Sequence, residues 1–276
     1  MSAATVTEQR APSRSRLYWT ISDIRAMTWR NLVKYSRVPT LLVFSTIQPV
    51  MFVLLFVYVF GGAIPIPGVS YKDYIMPGIF IQTVVFGSTQ TGVGLAEDLT
   101  RGMIDRFRSL PMARSAVLAG RSLGDSFRNL FVVLLMTGVG YLIGFRFHGG
   151  FLKAILAILL AVLFGSAFSW ISANIGLRIR DVEATTAASF VWVFPFVFAS
   201  SAFVRVQTMP GWLQEFVKVN PISIAVEAIR SLTLQPEAAT AVQGGTTLMH
   251  VSQMLAWIAG LLLVFVPLAV RGYRRT

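Results

Sequence analysis

The sequence predicts an all-α membrane protein with six transmembrane helices, and three observations carry that prediction. Six stretches of about twenty residues are nearly free of charge, the length a helix needs to cross the hydrocarbon. Only 13% of the 276 residues are charged, against about 25% in an average soluble domain, and 55% are hydrophobic. Lysine and arginine crowd into alternate connections between the apolar stretches. A net charge of +12 would suggest nucleic acid in a soluble protein. Here the arginines sit between apolar runs and report topology instead, so no nucleic-acid partner is expected. The chain has no cysteine, which excludes disulfides and thiolate metal sites.

Met1–Arg16 is rich in Ser, Thr, Ala and Arg and reads as a disordered tail. It is followed by one transmembrane domain, residues 17–276. No cleavable signal peptide is expected, because the first forty residues are polar and basic and the first apolar run is too long. Leu17–Arg37 reads as an interfacial helix. Leu17, Ile21, Ile24, Thr28, Leu32 and Tyr35 share one face, with Asp23, Arg30, Lys34 and Arg37 opposite. A soluble packing helix is the alternative.

The six spans are expected at residues 41–60, 75–95, 126–145, 152–175, 185–204 and 251–270. Helix is forced, since an open strand would leave backbone groups unpaired in lipid. Gln48-Pro49, Pro195 and Pro267 fall inside spans, where neighbouring helices can satisfy the freed carbonyls. The second span is the weakest, with Gln82, Thr83, Ser88, Thr89, Gln90 and Thr91. No ionisable group is expected in the interior of any span; Arg128 and Lys153 lie near ends and can snorkel.

With the N-terminus inside, the inner segments hold eighteen of the 24 lysines and arginines. Both termini are therefore expected in the cytoplasm, in a multi-pass protein of the cell membrane.

Glu97–Arg121 is then cytoplasmic too. Met103, Ile104, Phe107 and Leu110 fall on one side of a helical projection, with Arg101, Asp105, Arg106, Arg108 and Ser109 on the other. Asp98 and Arg101 are spaced to pair, and Pro111 ends the helix. Either this is a solvated loop that fixes topology, or a docking helix that inserts an apolar knob into a partner.

The outer segment 205–250 is more than loop. Trp212, Leu213, Phe216 and Val217 make one short amphipathic run, and Asn220-Pro221 breaks it. Ile222, Val226 and Ile229 make a second, with Glu227 and Arg230 spaced to pair. A re-entrant hairpin and a surface cap both fit.

Catalysis finds no support. His148 and His250 read as wetted residues at outer span ends, and no zinc-protease, nucleophile-elbow or P-loop motif occurs. Neither catalytic, cofactor nor metal residues are expected. Gln82, Ser88 and Gln90 either line a substrate path or hold helices together. The stripe Phe190, Phe194 and Phe198 either packs or walls an apolar pocket. Gly140 and Gly144, and the stripe Gly165, Ser169 and Ala173, suit close helix packing.

The segment after the second span carries Glu97, Asp98, Leu99, Gly102, Asp105, Ser109, Leu110, Pro111 and Arg114, with Gly120-Arg121 before the third. The outer segment carries Met209, Pro210, Trp212 and Leu213, then Asn220-Pro221, then Glu227, Ala228 and Arg230. Together these resemble the membrane subunit of ABC type-2 exporters, and the chain is similar to daunorubicin-resistance-type permeases. The resemblance implies a permease for hydrophobic or amphiphilic molecules; export of a lipid-linked polysaccharide is the alternative. It implies two ATPase subunits that bind the ATP and magnesium, and a second permease, identical or paralogous, all within membrane lipid. It assigns Glu97, Asp98, Arg101, Asp105, Arg106, Phe107, Leu110 and Pro111 to ATPase coupling, and Pro210, Trp212, Asn220, Pro221 and Glu227 to the outer hairpin.

Overall fold

A computed structural model describes residues 16–37, 39–62, 64, 66, 68–108 and 114–275; the side chains at 16, 17, 36, 39, 41, 42, 44, 105, 107, 108, 114, 274 and 275 are outside that description. The tail 1–15 and residues 109–113 also lie outside it. Among the described residues there are helices and no strand.

In chain order the helices are α1 (Arg16–Arg37), α2 (Pro39–Leu54, continued by a π-helical turn to Phe60) and α3 (Tyr71–Thr100). Then come α4 (Met103–Arg108), α5 (Arg114–Leu142), α6 (Phe151–Ile179) and α7 (Val182–Phe198). The chain ends with α8 (Gly211–Val219), α9 (Pro221–Thr233), α10 (Pro236–Gln243) and α11 (Thr247–Arg275). Among the described residues, α3, α6 and the Thr247–Tyr273 part of α11 are long and apolar enough to cross a membrane. The apolar stretch Ser45–Phe60 and α7 are shorter.

α3 is the hub, packing on α5, α6, α7 and α9. Of the three helices long and apolar enough to cross, it is the least apolar and the most enclosed, with Ile75, Ile79, Val84 and Val85 fully buried. Small residues allow this. A Cβ on Gly165 would meet Val84, and Gly92 and Gly176 bring α3 and α6 into backbone contact. Of the stripe Gly165, Ser169 and Ala173, Gly165 thus faces α3, while Ser169 Oγ lies 2.8 Å from Ser122 Oγ of α5, all inside one chain. Of the other glycine pair, Gly140 packs against Met76 and Phe145, and Gly144, with φ +95°, closes the turn after α5 beside the Lys72 side chain.

Several boundaries differ from those read in the sequence. α5 starts at Arg114, a full twelve residues before the apolar run, and carries Arg121, Asp125 and Arg128 into the bundle. α7 stops at Phe198, because Asn220 Nδ2 takes the carbonyls of Phe196 and Ala199, both at 2.7 Å. Last-turn carbonyls have no partner within their own helix, so this amide ends one helix while its oxygen caps α9 through Ile222 N–H at 2.9 Å.

α1 lies along α5 with Met27, Thr28 and Asn31 buried, where Gly120 and Gly124 leave room. Ile21 and Trp29 point away, 57% and 68% exposed. The packing face is therefore turned from the one the apolar spacing gave, because α5 offers glycines and polar partners there rather than a greasy groove.

Candidate functional site

A cavity of about 550 Å³ lies between α1, α2, α3, α5 and α7. Its wall follows α3 from Gln82 to Glu97, fifteen residues or about 22 Å of helix. Phe52, Phe86 and Phe190 line the Gln82 end, and Lys34, Glu97, Arg101 and Arg121 the other. The size is that of a drug-sized site, and apolar walls with a few polar groups are what such sites use.

Of the residues assigned to a substrate path, Gln82, Gln90 and Phe190 line this cavity. Phe194 stands behind, edge-on to Phe86 with ring centroids 5.3 Å apart and 5.6 Å from Phe190. Ser88 is not in the cavity: it is fully buried and donates to the Val85 carbonyl of its own helix at 2.6 Å. Back-bonding of this kind is how a helical serine hides its hydroxyl. The Gln82 side-chain oxygen is buried and has no hydrogen-bond partner among the described residues.

The polar wall comes from α5, and the sequence reading missed it. Asp125 is 3% and Arg128 6% exposed, so neither snorkels. Asp125 accepts from Tyr35 Oη at 2.6 Å and Thr91 Oγ1 at 2.5 Å, tying α1 and α3 to α5. Burial, then the nearby Asp125 carboxylate, pushes the Tyr35 hydroxyl up, which keeps its proton in place to donate. Arg128 Nη2 donates to the Gly87 carbonyl at 2.6 Å and to Asn129 Oδ1 at 3.2 Å, and the guanidinium stands 5.7 Å from the Tyr35 ring. Two glycines admit these groups. A Cβ on Gly87 would come within 2.3 Å of Asn129 Oδ1, and one on Gly94 within 1.5 Å of Arg121 Nη2. Gly87 and Gly94 are seven residues apart, as are Arg121 and Arg128, so the two antiparallel helices meet in register. The signal was available: Ser122, Asp125 and Asn129 form a polar stripe at helical spacing, while Leu123, Phe127, Phe131 and Leu134 are exposed on the other side.

At the Glu97 end the ion pairs differ from the expected one. Arg101 pairs with Glu97 at 2.8 Å, one turn back, rather than with Asp98. Asp98 faces inward and takes Arg121 at 2.8 Å and Arg30 at 3.4 Å; Lys34 takes Glu97 at 3.0 Å. Glu97 and Asp98 thus belong to the last turn of α3, and Gly102, with φ +65°, makes the corner into the six-residue α4. Ile104 is 2% exposed and packs with Leu95, Val117 and Leu118, so that part of the knob is spent within the chain. Arg106 is exposed. The side chains of Asp105 and Phe107, and all of Leu110 and Pro111, lie outside the described residues.

The hairpin is divided. Pro210 and Trp212 on the α8 side are exposed, Trp212 by 75%. α9 is buried along its length, packed on α3, α6 and α11. Asn220 and Pro221 are buried at its start. Arg230 does not pair with Glu227. It donates to the carbonyls of Tyr74 at 3.3 Å and Ser201 at 2.9 Å and lies 3.8 Å over the Tyr74 ring. Glu227 instead approaches His250, 3.7 Å from its Nδ1. His250 is 4% exposed, not wetted, because its Nε2 sits on the Gly244 carbonyl at 2.8 Å. His148 is exposed.

The chain has close relatives of known kind. Over 248 residues it is 38% identical to the daunorubicin resistance ABC transporter permease protein DrrB1 of Streptomyces coeruleorubidus, covering 89% of this chain and 84% of the relative. Over 257 residues it is 29% identical to a protein of Mycobacterium tuberculosis named as a probable doxorubicin resistance ABC transporter permease, DrrC, covering 92% and 89%. A doxorubicin resistance permease of the same organism, DrrB, is 29% identical over 175 residues, 62% of this chain and 60% of the relative. The model of the ABC-2 type transporter family matches residues 22–234, from α1 through the end of α9. The polar cavity, the buried α9 and the long apolar helices are therefore those of a multi-pass membrane permease, and the chain belongs to the ABC-2 type transporter family.

Proposed function

We propose that this chain is the permease half of an ATP-driven exporter that moves hydrophobic or amphiphilic small molecules outward across the cell membrane. The observation that carries the reading is the cavity of about 550 Å³, apolar at Phe52, Phe86 and Phe190 and polar at the arginine end. It suits a drug-sized cargo and is small for a polysaccharide, which favours the first of the two cargo classes. The relatives' names refer to resistance to daunorubicin and doxorubicin, cargo of that size.

In this reading six helices cross the membrane, α2, α3, α5, α6, α7 and α11, with both termini cytoplasmic. α1 lies at the inner surface, with Trp19 and Trp29 exposed towards lipid. The α8–α9 hairpin closes the outer side. Energy comes from two ATPase subunits, which hold ATP and magnesium; a second permease, identical or paralogous, completes the pathway. The ATPases press on α1 and on the segment from Glu97 to Pro111. The ion pairs Arg30–Asp98–Arg121 and Lys34–Glu97 join α1, α3 and α5 there, so a push on α1 is passed to both walls of the cavity.

Two experiments test this. Co-expression with the cognate ATPase should give ATP-dependent efflux of a fluorescent amphiphile from membrane vesicles, and Phe107→Asp should abolish efflux while ATP hydrolysis continues. A cysteine placed at Ser109 should resist impermeant maleimide in intact cells; labelling there would overturn the topology.

A further inference from the structure

The cavity has a sign. Four cations line it, Lys34, Arg101, Arg121 and Arg128, against two carboxylates, Glu97 and Asp125. Glu97 is shared by Lys34 and Arg101, and Arg121 is held by Asp98. Asp125 is occupied by the hydroxyls of Tyr35 and Thr91. Arg128 is left without a carboxylate among the described residues. Both of its hydrogen bonds leave from Nη2 and go to neutral oxygens, so Nε and Nη1 have no partner in the described chain. A guanidinium that is 6% exposed and has no carboxylate within 4 Å among the described residues attracts an anion, because a low dielectric amplifies the interaction.

Arg128 does not stand alone. Gly87, the residue whose carbonyl it holds, is five residues or about 7.5 Å along α3 from Gln82. The Gln82 side chain is 3% exposed, and its buried oxygen waits for a donor. Phe86 and Phe190 stand beside these groups, with ring centroids 6.0 Å apart. The wall therefore offers an anion site, an apolar face and a hydrogen-bond acceptor.

We propose that this cavity selects an amphiphile with an acidic head, a phosphate or carboxylate, which takes a hydrogen bond from an Arg128 nitrogen that the fold leaves free, Nε or Nη1, while the apolar body lies on Phe86 and Phe190. A hydrogen bond between a guanidinium and either oxyanion is charge-assisted and stronger than one between neutral groups. Arg128 is thus the residue that sets cargo charge. The inference rests on the reading of the cavity as the cargo site, and it adds which cargo that site prefers.

The test uses the full-length chain in nanodiscs of phosphatidylcholine, which keep the surrounding lipid zwitterionic. Binding of NBD-labelled lysophosphatidic acid is compared with that of the equally tailed NBD-lysophosphatidylcholine and NBD-alkylamine. The wild type should bind the acid at least about tenfold more tightly than either. Arg128→Gln should remove that preference, and Arg128→Lys, which keeps the charge, should keep part of it. Equal binding of the three probes by the wild type would overturn the inference, as would a preference that survives Arg128→Gln. So would displacement of the acidic probe by inorganic phosphate at equal concentration, since a free anion would then do as well as an amphiphile. Phe190→Ala separates this failure from failure of the cargo site itself. If it weakens all three probes alike while the wild type shows no charge preference, the cavity still holds cargo and only the charge rule falls. If the probes bind and Phe190→Ala and Arg128→Gln change nothing, they bind elsewhere and both readings fall.

Discussion

Arg128 and Arg230 are both buried, 6% and 1% exposed, and both lie over a tyrosine ring, yet they do opposite work. Arg230 sends Nε and Nη2 to two different carbonyls, on α3 and on the turn after α7, and so closes three elements into one unit. Arg128 sends one nitrogen to its neighbours and turns the rest towards a cavity. The difference is one of company. Around Arg230 the neighbours Tyr74, Ala225, Val226 and Ile229 are fully or nearly fully buried, and the guanidinium borders only a smaller cavity of about 290 Å³. Beside Arg128, Gly87 makes room for the guanidinium and the Asn129 amide at the wall of the larger cavity. The same side chain is a rivet where two of its nitrogens join two elements and a binding group where a single nitrogen holds it.

The strongest way to break that contrast is to remove each arginine. Arg230→Leu deprives two buried carbonyls of their donors, at about 1–3 kcal/mol each, and should leave little folded protein in detergent. Arg128→Gln keeps a donor for the Gly87 carbonyl and relieves an uncompensated charge. Its thermal midpoint should stay near that of the wild type while cargo handling changes. Size-exclusion profiles of heated samples check both. Equal loss of folded protein in the two variants would mean that Arg128 is a rivet as well.

The glycines sharpen the same point at a smaller scale. Gly94→Ala places a Cβ on the Arg121 guanidinium, which must then leave the α3 surface and lengthen its 2.8 Å contact with Asp98. Overpacking of this kind costs about 1–3 kcal/mol, and transport should fall more than stability because Arg121 moves towards the cavity. Gly138→Ala is the control. A Cβ there meets nothing, and an alanine in a helix interior is favoured by about 0.5–1 kcal/mol. ATP-dependent efflux and thermal midpoints of the pair separate the site effect from the helix effect.

How much of this was legible follows from the physics of each part. Long apolar runs announce helices, so α6 and α11 were plain, while α3, the weakest of the runs, was legible by length. That α1 is a helix was legible from its period, but not which face packs, since that depends on glycines about ninety residues away at 120 and 124. Asp125 was passed over because the span was expected to begin at residue 126, just after it, and Arg128, the third residue of that span, was read as a side chain that snorkels. In the fold α5 starts at Arg114 and shelters both behind an exposed row of Leu123, Phe127 and Phe131. Ser88 and Gln90 are two residues apart and look alike in sequence, yet one back-bonds to its own helix and the other lines the cavity. Glu227 and Arg230 have the spacing of a pair, and the pair does not form, because carbonyls from two other elements compete for the guanidinium.

At the Asn220 junction a single side chain serves two helices. Asn220→Ala would free the Phe196 and Ala199 carbonyls and uncap α9 at once. Loss of an N-cap alone costs about 1–2 kcal/mol, so the midpoint should drop by several degrees, less than for Arg230→Leu. Asn220→Asp keeps the cap but not the amide donor, and should fall between. An Asp variant as stable as the wild type would show that the α7 carbonyls are served by water.

The smallest effect is expected at Glu227, and its sign tests whether the closed end is as tight as Arg230 suggests. Burial holds the Glu227 carboxyl above its ordinary value of 4.5, and Arg230 on its own helix and His250 on α11 pull it back only in part. Ser201 on the turn after α7 also bonds to it, while Gln243 of α10 reaches only its backbone carbonyl, at 2.8 Å. A folded state that keeps the proton more readily than the unfolded one is most stable at low pH. It loses that advantage as pH rises from the ordinary value through the raised one. Glu227→Gln is neutral throughout and should flatten this slope, so the variant should gain on the wild type as pH rises, by a small amount because the side chain is 22% exposed. Thermal midpoints of both proteins between about pH 4 and pH 8 read the difference directly. A variant less stable than the wild type at the neutral end would mean that Arg230 and His250 hold the carboxylate more strongly than burial opposes it, and that Glu227 keeps an ion pair after all.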